Sequence, residues 1–337
     1  MASQFAGKVI TALGPIEPGE MGAVLMHEHC YVDLNVAEEG PTPPERVELL
    51  RAYCAPFLKR LAGYGSYAIC DPTPSPMRAE PWVYQELARL SGCHIILATG
   101  FYREAAADEA RPCGGDIAHR WLDRRLLKGD VGLATEFMRA EFDEGIHGSA
   151  VRPGIIKLGS TLPEFTPGER TAFLAGARVQ RATGLAITTH ANGLGVAPAQ
   201  LDLLESGGAN PSRVILGHTA RDIVEAPDQA RQLMQRGATL LPTNLRMDSS
   251  PSFYRNLVVG INALFDAGLG DRLVLGLDWG FENENGPFMP CSFMPPPPYI
   301  YMFTHTLPRL RELGLREEAI ETMLVRNPAR LLALAAH

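Results

Sequence analysis

Eight short apolar runs recur along the chain and constrain its fold more than any other feature. Each is a few residues long, rich in Leu or β-branched residues, and apolar throughout rather than alternating. Runs of this kind are typical of parallel strands that are covered on both faces. In chain order they are VLMHEHC, SYAICDPT, HIILATGF, GIIKLGS, LAITTH, RVILGH, ATLLPT and RLVLGLD, which we number as predicted strands one to eight.

Helical patterns lie between these runs. The segment PERVELLRAYCAPFLKRLAGYG has helical apolar spacing and is expected to end at Gly63 or Gly65. The segment TPGERTAFLAGARVQRATG starts with a capping-box pattern from Thr166 to Glu169 and should stop at Gly184. Alternating strands and helices predict an α/β fold, a (β/α)8 TIM barrel, which we place in one domain over residues 1–337.

Two regions follow the eighth predicted strand and fall outside the alternation. Residues 281–298, FENENGPFMPCSFMPPPP, are too rich in proline for a helix or a central strand. We predict a long loop over the barrel mouth there, which could act as a substrate lid. Residues 299–337 return to helical patterns, and we expect C-terminal helices that pack outside the barrel.

Composition narrows the class of partner. No stretch has the run of about 18 apolar residues that a membrane span needs, and the N-terminal segment lacks a secretory signal pattern. Six scattered cysteines without CxxC spacing predict reduced thiols and a cytoplasmic protein. A net charge of −7 argues against nucleic acid or an anionic membrane as partner, so a small-molecule substrate is expected.

Polar side chains occur at or near the ends of five of the predicted strands. Catalytic groups of a TIM barrel lie at the C-terminal ends of its strands, so these side chains should face one another. Imidazole and carboxylate are ligands that zinc and its first-row neighbours prefer, which predicts a metal site. The set is His27, His29, Lys157, His190, His218 and Asp278.

Lys157 is the unusual member of the set. An isolated ammonium in an apolar strand loses several kcal/mol of hydration, and its pKa falls instead. A neutral lysine can react with carbon dioxide, and the resulting carbamate is an anion with two oxygens that could bridge two cations.

The ordered pattern resembles the phosphotriesterase family of the amidohydrolase superfamily, which includes the phosphotriesterase-like lactonases. The resemblance covers nearly the whole chain, through MGAVLMHEH, EFDEGIHGSAVRPGIIKLGS, TGLAITTHAN, SRVILGHT, VLGLDWG and MLVRNPARLL. It implies two divalent metal ions, with zinc expected and cobalt, manganese or iron as alternatives. By position, His27, His29 and Asp278 would hold one metal and His190 and His218 the other, with carbamylated Lys157 between them.

The same resemblance implies the chemistry. In the family a metal-bridging hydroxide attacks an ester, lactone or phosphotriester, and the strand-eight aspartate, here Asp278, takes its proton. Tyr102 in ATGFY matches the tyrosine of lactone-hydrolysing members, and Trp279 is expected to line the pocket. These positions favour a lactonase or esterase with phosphotriesterase side activity, and the family implies a homodimer.

Some positions depart from the family pattern, and alternatives stay open. Arg221, Thr243 and Asn244 replace residues of the usual proton relay, so either Asp222 substitutes or the proton leaves through water. Asp71 is read as bracing loops rather than binding metal. The competing functions are an organophosphate triesterase proper, a mononuclear deaminase-like amidohydrolase, and a non-catalytic ligand-binding protein on the same barrel.

Overall fold

The computed structural model describes residues 2–34, 40–103, 129–160, 162–191, 193–246, 250–282, 287–291 and 294–335. Its strands fall on seven of the eight predicted runs. The eighth run, which ends at Asp278, is not a regular strand, but a strand begins directly after it at Trp279. The strands are β1 Val9–Thr11, β2 Gly14–Ile16, β3 Ala23–Leu25, β4 Glu28–Val32, β5 Ser66–Asp71, β6 His94–Gly100, β7 Ile155–Ser160, β8 Ala186–Ala191, β9 Val214–Gly217, β10 Thr239–Leu241, β11 Trp279–Glu282 and β12 Met289–Pro290.

Seven strands form one parallel sheet in the order β10-β9-β8-β7-β6-β5-β3. The eighth predicted strand joins the two edges of this sheet through backbone hydrogen bonds. The N–H of Val274 donates to Leu240 O at 3.1 Å, and the N–H of Met26 donates to Leu275 O at 2.9 Å. Next to this junction, β11 pairs in parallel with β4, which resumes the first strand after a two-residue interruption. The predicted α/β TIM barrel is confirmed.

Helices cover the outside of the sheet. They are α1 Pro44–Leu49, α2 Ala55–Arg60, α3 Pro81–Ser91, α4 Val131–Asp143, α5 Pro167–Thr183, α6 Val196–Ser206, α7 Ala220–Glu225, α8 Pro227–Gln235, α9 Pro251–Asp266, α10 Leu307–Glu312, α11 Glu317–Glu321 and α12 Asn327–Leu332. Single π-helical turns connect α1 to α2, precede α10, and connect α11 to α12.

The two helices predicted in detail are present with their expected ends. In α5, the Thr166 hydroxyl accepts from the N–H of Glu169 at 3.1 Å, which completes the capping box, and Gly184 ends the helix with a φ of 77°. Helical turns run from Pro44 to Tyr64 and end at Gly65, whose φ is 70°, so Gly65 rather than Gly63 is the stop.

Alternation along the strands sorts side chains between the barrel interior and the layer under the helices. On β7, Ile155 packs inside the barrel and Ile156 packs under the helices. Lys157 therefore points inward. On strand one the interruption between β3 and β4 shifts the alternation, so that Met26 packs inside and His27 also reaches the interior, within 3.2 Å of Lys157.

The region after the eighth predicted strand differs in part from the expected loop. Phe281 and Glu282 continue β11, and they pair with Pro290 and Met289 of β12 in a short antiparallel hairpin. Proline is tolerated there because β12 is an edge strand that leaves the proline nitrogen unpaired. Residues 283–286 and 292–293 of the predicted lid lie outside the described residues.

The sequence predicted reduced cysteines and no membrane span, and both can be examined in the described part of the chain. Its five cysteines, Cys30, Cys54, Cys70, Cys93 and Cys291, are buried and unpaired, and Cys113 lies outside it. In the same ranges no helix has both the length and the apolar character needed to cross a bilayer.

The close contact between β6 and β7 requires a glycine at position 100. Its φ is 119°, and a Cβ built there would lie 2.0 Å from the carbonyl oxygen of Lys157. We expect Gly100→Ala to destabilise the fold by more than about 2 kcal/mol, because the strand must move away from Lys157. Gly63→Ala is the control, since nothing lies within 4 Å of its Cβ position. Equal melting temperatures for the two variants would contradict this account of the barrel wall.

Candidate metal centre

Six side chains from five strands meet at the C-terminal end of the barrel. Nε2 of His27 lies 3.2 Å from Nζ of Lys157, and Nε2 of His29 lies 3.2 Å from Oδ1 of Asp278. The rings of His190 and His218 are 4.4 Å apart between centroids, and those of His27 and His218 are 4.8 Å apart. The ligand atoms of His27, His218 and Asp278 all lie within 4.8 Å of one another. The structure thus brings together every residue of the predicted ligand set.

The hydrogen bonds of His29 show that this cluster is suited to a cation. The Thr73 hydroxyl donates to Oδ1 of Asp71 at 2.5 Å, so its oxygen accepts the proton of Nδ1 of His29 at 2.7 Å. Nε2 of His29 lies 3.2 Å from Oδ1 of Asp278. Burial acts to lower the pKa of His29, but its contacts with Asp278 and Asp71 outweigh burial and raise the pKa, so the two carboxylates favour a positive charge at this ring. A cation bound between Nε2 and Oδ1 would supply such a charge.

His218 gives the same indication. Its Nδ1 lies 2.6 Å from the hydroxyl of Thr243, while its Nε2 is buried and has no hydrogen-bond partner. Burial is the main cause that lowers the pKa of His218 to about 4, so the ring is neutral at physiological pH. A buried imidazole nitrogen with a free lone pair is a suitable metal ligand.

Lys157 is 2% exposed and lies at the centre of the cluster. Burial lowers its pKa to about 8, because an ammonium loses hydration there, although Asp278 acts in the opposite direction. Burial also lowers the pKa of His27 and of His190 well below the usual value, and the charge of Lys157 adds to this effect. The cluster therefore holds several neutral nitrogen donors around one carboxylate, which fits metal ions.

Asp278 sits in a strained backbone conformation that a neighbouring carboxylate stabilises. Its φ is 65°, which non-glycine residues adopt rarely. Glu28, fully buried, accepts the N–H of Leu277 at 2.6 Å and the N–H of Trp279 at 3.0 Å. One side chain of β4 thus fixes the backbone on both sides of Asp278. Sequence reasoning missed this role, and its only signal was a charged residue between the two histidines of HEH.

Asp71 and Tyr299 make hydrogen bonds to the backbone of strand one at and next to His29. Oδ2 of Asp71 accepts the N–H of Cys30 at 2.7 Å, and its Oδ1 accepts from Thr73, which orients His29. This arrangement agrees with the reading of Asp71 as a bracing residue. The hydroxyl of Tyr299 donates to the carbonyl of His29 at 3.0 Å. The sequence pattern gave no indication of that contact.

The cluster forms the floor of a cavity of about 480 Å³. Tyr102 lines it, and its ring lies edge-on to His190 with centroids 5.3 Å apart. Trp279, expected in the pocket, lies instead in the core. It is 1% exposed and packs against Phe281 and Tyr299. The strand places its ring on the outer face of β11, opposite to the side of Asp278.

The three positions that depart from the family pattern, and the possible substitute Asp222, take different places. Thr243 contacts His218, and the Asn244 amide donates to Oδ2 of Asp278 at 3.3 Å. Arg221 points outward and pairs with Glu225. Asp222 is buried, and burial raises its pKa to about 6, but it is not among the residues that line the cavity. The described contacts of Asp278 therefore run to Asn244 and not to Asp222.

Comparison with known proteins agrees with this geometry. The model of the phosphotriesterase family matches residues 7–332. The chain belongs to the phosphotriesterase family. It is a hydrolase of that family, whose members depend on metal ions.

Relatives within and beyond the bacteria resemble the chain over most of its length. The phosphotriesterase homology protein of Escherichia coli K12 is 26% identical, over 92% of this chain and 97% of the relative. The N-acetyltaurine hydrolase of Salmo salar is 24% identical, over 98% of this chain and 99% of the relative.

Solved structures of the phosphotriesterase family are similar as well. The organophosphorus hydrolase of Deinococcus radiodurans aligns with a TM-score of 0.77 at 28% identity, over 97% of each chain. A mutant of a PTE-like lactonase from the same organism also aligns with a TM-score of 0.77, at 29% identity, over 96% of this chain and 99% of that one.

Glu28→Gln tests whether the buried carboxylate positions Asp278. The glutamine retains one oxygen, so only one of the two backbone N–H groups keeps its acceptor. We expect zinc affinity, measured by calorimetry on the metal-free protein, to fall by about 10- to 100-fold, with a lower melting temperature. Glu48→Gln, on the surface of α1, is the matched control. A Glu28→Gln variant that binds zinc as tightly as the Glu48→Gln variant would show that Asp278 does not depend on this contact.

Proposed function

We propose that the protein is a binuclear metal-dependent hydrolase that cleaves a carboxylic ester, most simply a lactone, and hydrolyses phosphotriesters as a side activity. The observation that carries the proposal is the convergence of four histidines, Asp278 and the buried Lys157, with Tyr102 beside His190. Similar structures titled organophosphorus hydrolase and PTE-like lactonase support both ester classes.

The residues would hold two divalent ions as the family resemblance implies. His27, His29 and Asp278 would bind one ion and His190 and His218 the other, with Lys157 as a shared ligand. For this role the neutral amine of Lys157 attacks carbon dioxide, forms a carbamate N–C bond and releases a proton. A pKa of about 8 leaves a useful fraction of neutral amine near neutral pH. When bound there, the ions would lower the pKa of a water molecule and polarise the scissile oxygen.

The chain's own groups then position and move the proton. Oδ1 of Asp278 faces His27 and His29. Its Oδ2 accepts the Asn244 amide and lies towards His218. We assign Asp278 as the group that takes the proton of the attacking water. Tyr102 lines the cavity next to His190, where its phenol can donate a hydrogen bond to a substrate oxygen. Because Asp222 is neither among the described contacts of Asp278 nor among the residues that line the cavity, we assign the exit of the proton to water.

A second candidate is hydrolysis of an N-acyl amide. It is favoured by relatives that carry the name N-acetyltaurine hydrolase and match this chain over 98% of its length. The deaminase-like alternative uses no ligand at position 157, so the buried lysine among the histidines disfavours it. A binding protein without activity would have no use for a carboxylate oriented as Asp278 is.

The test is metal analysis combined with turnover on a panel of lactones, carboxylic esters, phosphotriesters and N-acyl amides. We expect two metal ions per chain after loading with zinc, cobalt or manganese, with a lactone or ester turned over fastest. Lys157→Ala should lower both metal content and kcat/KM, the latter by at least about 1000-fold, since the shared ligand is lost. Lys59→Ala, on the outer helix α2, is the control. Full activity of Lys157→Ala, or a fully loaded protein inactive on the whole panel, would refute the proposal.

A further inference from the structure

A permanently charged side chain lies beside the ligand histidines and has no part in the proposed mechanism. Arg103 follows Tyr102 at the end of β6, is 9% exposed and lines the cavity. Its guanidinium carbon lies 5.7 Å from the centre of the Tyr102 ring, which itself lies 5.3 Å from the ring of His190. Arg103 thus faces the same space as the ligands.

The rest of the cavity wall has apolar side chains in one part and charged side chains in another. Val32, Leu34 and Met77 give it an apolar side next to the first two strands. A second arginine, Arg246, lines it from the segment after β10, two residues beyond Asn244. Glu282 also lines the cavity, and burial raises its pKa. Two arginines therefore provide cationic groups that stay charged at every physiological pH.

An arginine at this place works against the binding of divalent cations, because like charges repel in a site of low dielectric constant. An anionic group of a substrate in the cavity would offset this repulsion, since the planar guanidinium can donate two parallel hydrogen bonds to carboxylate or sulfonate oxygens. The backbone of Arg103 packs closely against β7, since a Cβ atom at Gly159 would lie 3.0 Å from the backbone nitrogen of Arg103.

We propose that the substrate carries a carboxylate or sulfonate away from the scissile bond, that Arg103 binds this anion, and that Arg246 attracts it at the cavity mouth. The proposal rests on the proposed hydrolase function and specifies its substrate class. The apolar wall would then contact the carbon chain between the anion and the scissile group.

Two aryl esters that differ in one terminal group test this directly. The 4-nitrophenyl monoester of glutaric acid ends in a carboxylate, whereas 4-nitrophenyl pentanoate ends in a methyl group. With the metal-loaded protein we expect a higher kcat/KM for the glutarate ester. Arg103→Gln should lower the ratio of the two kcat/KM values by about 10- to 100-fold, the worth of a charged hydrogen-bond pair. Arg139→Gln, an exposed arginine of α4, should keep the wild-type ratio.

A wild-type protein without preference for the glutarate ester, or an Arg103→Gln variant with the wild-type ratio, would overturn the proposal. If the Gln variant does not fold, Arg103→Lys keeps the charge without the planar fork, and the ratio should fall by a smaller factor. If neither ester is hydrolysed, the panel of lactones, carboxylic esters, phosphotriesters and N-acyl amides decides the proposed hydrolase function separately. Calorimetry with glutaramate and its uncharged diamide then decides, because only the anion should bind and only to a protein that retains Arg103.

Discussion

The carboxylate of Glu28 joins the first strand of the barrel to the last, and the geometry of the candidate metal centre depends on that junction. It accepts the backbone N–H groups of Leu277 and Trp279, on either side of Asp278. A closed barrel needs a junction between its terminal strands, and here the eighth strand is irregular up to residue 278. The side chain compensates for hydrogen bonds that a regular ladder would have made. It also holds Asp278 in a conformation that its backbone disfavours.

Orientation of the imidazoles follows from hydroxyl groups one layer behind them. Thr73 contacts Nδ1 of His29 and Thr243 contacts Nδ1 of His218, so that Nε2 of His29 faces Asp278 and Nε2 of His218 is left without a hydrogen-bond partner among the described residues. Partners of this kind set the tautomer of a ligand histidine and raise its basicity. Thr243 stands where the family pattern usually has an acidic residue, and in this chain the position contacts His218 and supplies no carboxylate for a relay.

The sequence alone predicted the barrel and the six side chains that meet at its rim because both depend on local patterns. Apolar runs identify strands covered on two faces, and parallel strands bring their C-terminal ends to one rim. Contacts between distant segments have no such pattern. Nothing in HEH shows that Glu28 reaches residues 277 and 279, about 250 positions away, and nothing in PPPPY shows that Tyr299 holds the carbonyl of His29. Trp279 was misplaced because adjacent strand residues face opposite sides, so a neighbour of Asp278 points into the core.

Anomalous diffraction from zinc-loaded crystals would show whether the six side chains hold two metal ions. We expect two zinc peaks above the cavity floor, one beside His27, His29 and Asp278 and one beside His190 and His218. Density for a carboxylated Lys157 should lie between them. A single peak, or an unmodified amine at position 157 in a protein that retains full activity, would contradict this expectation.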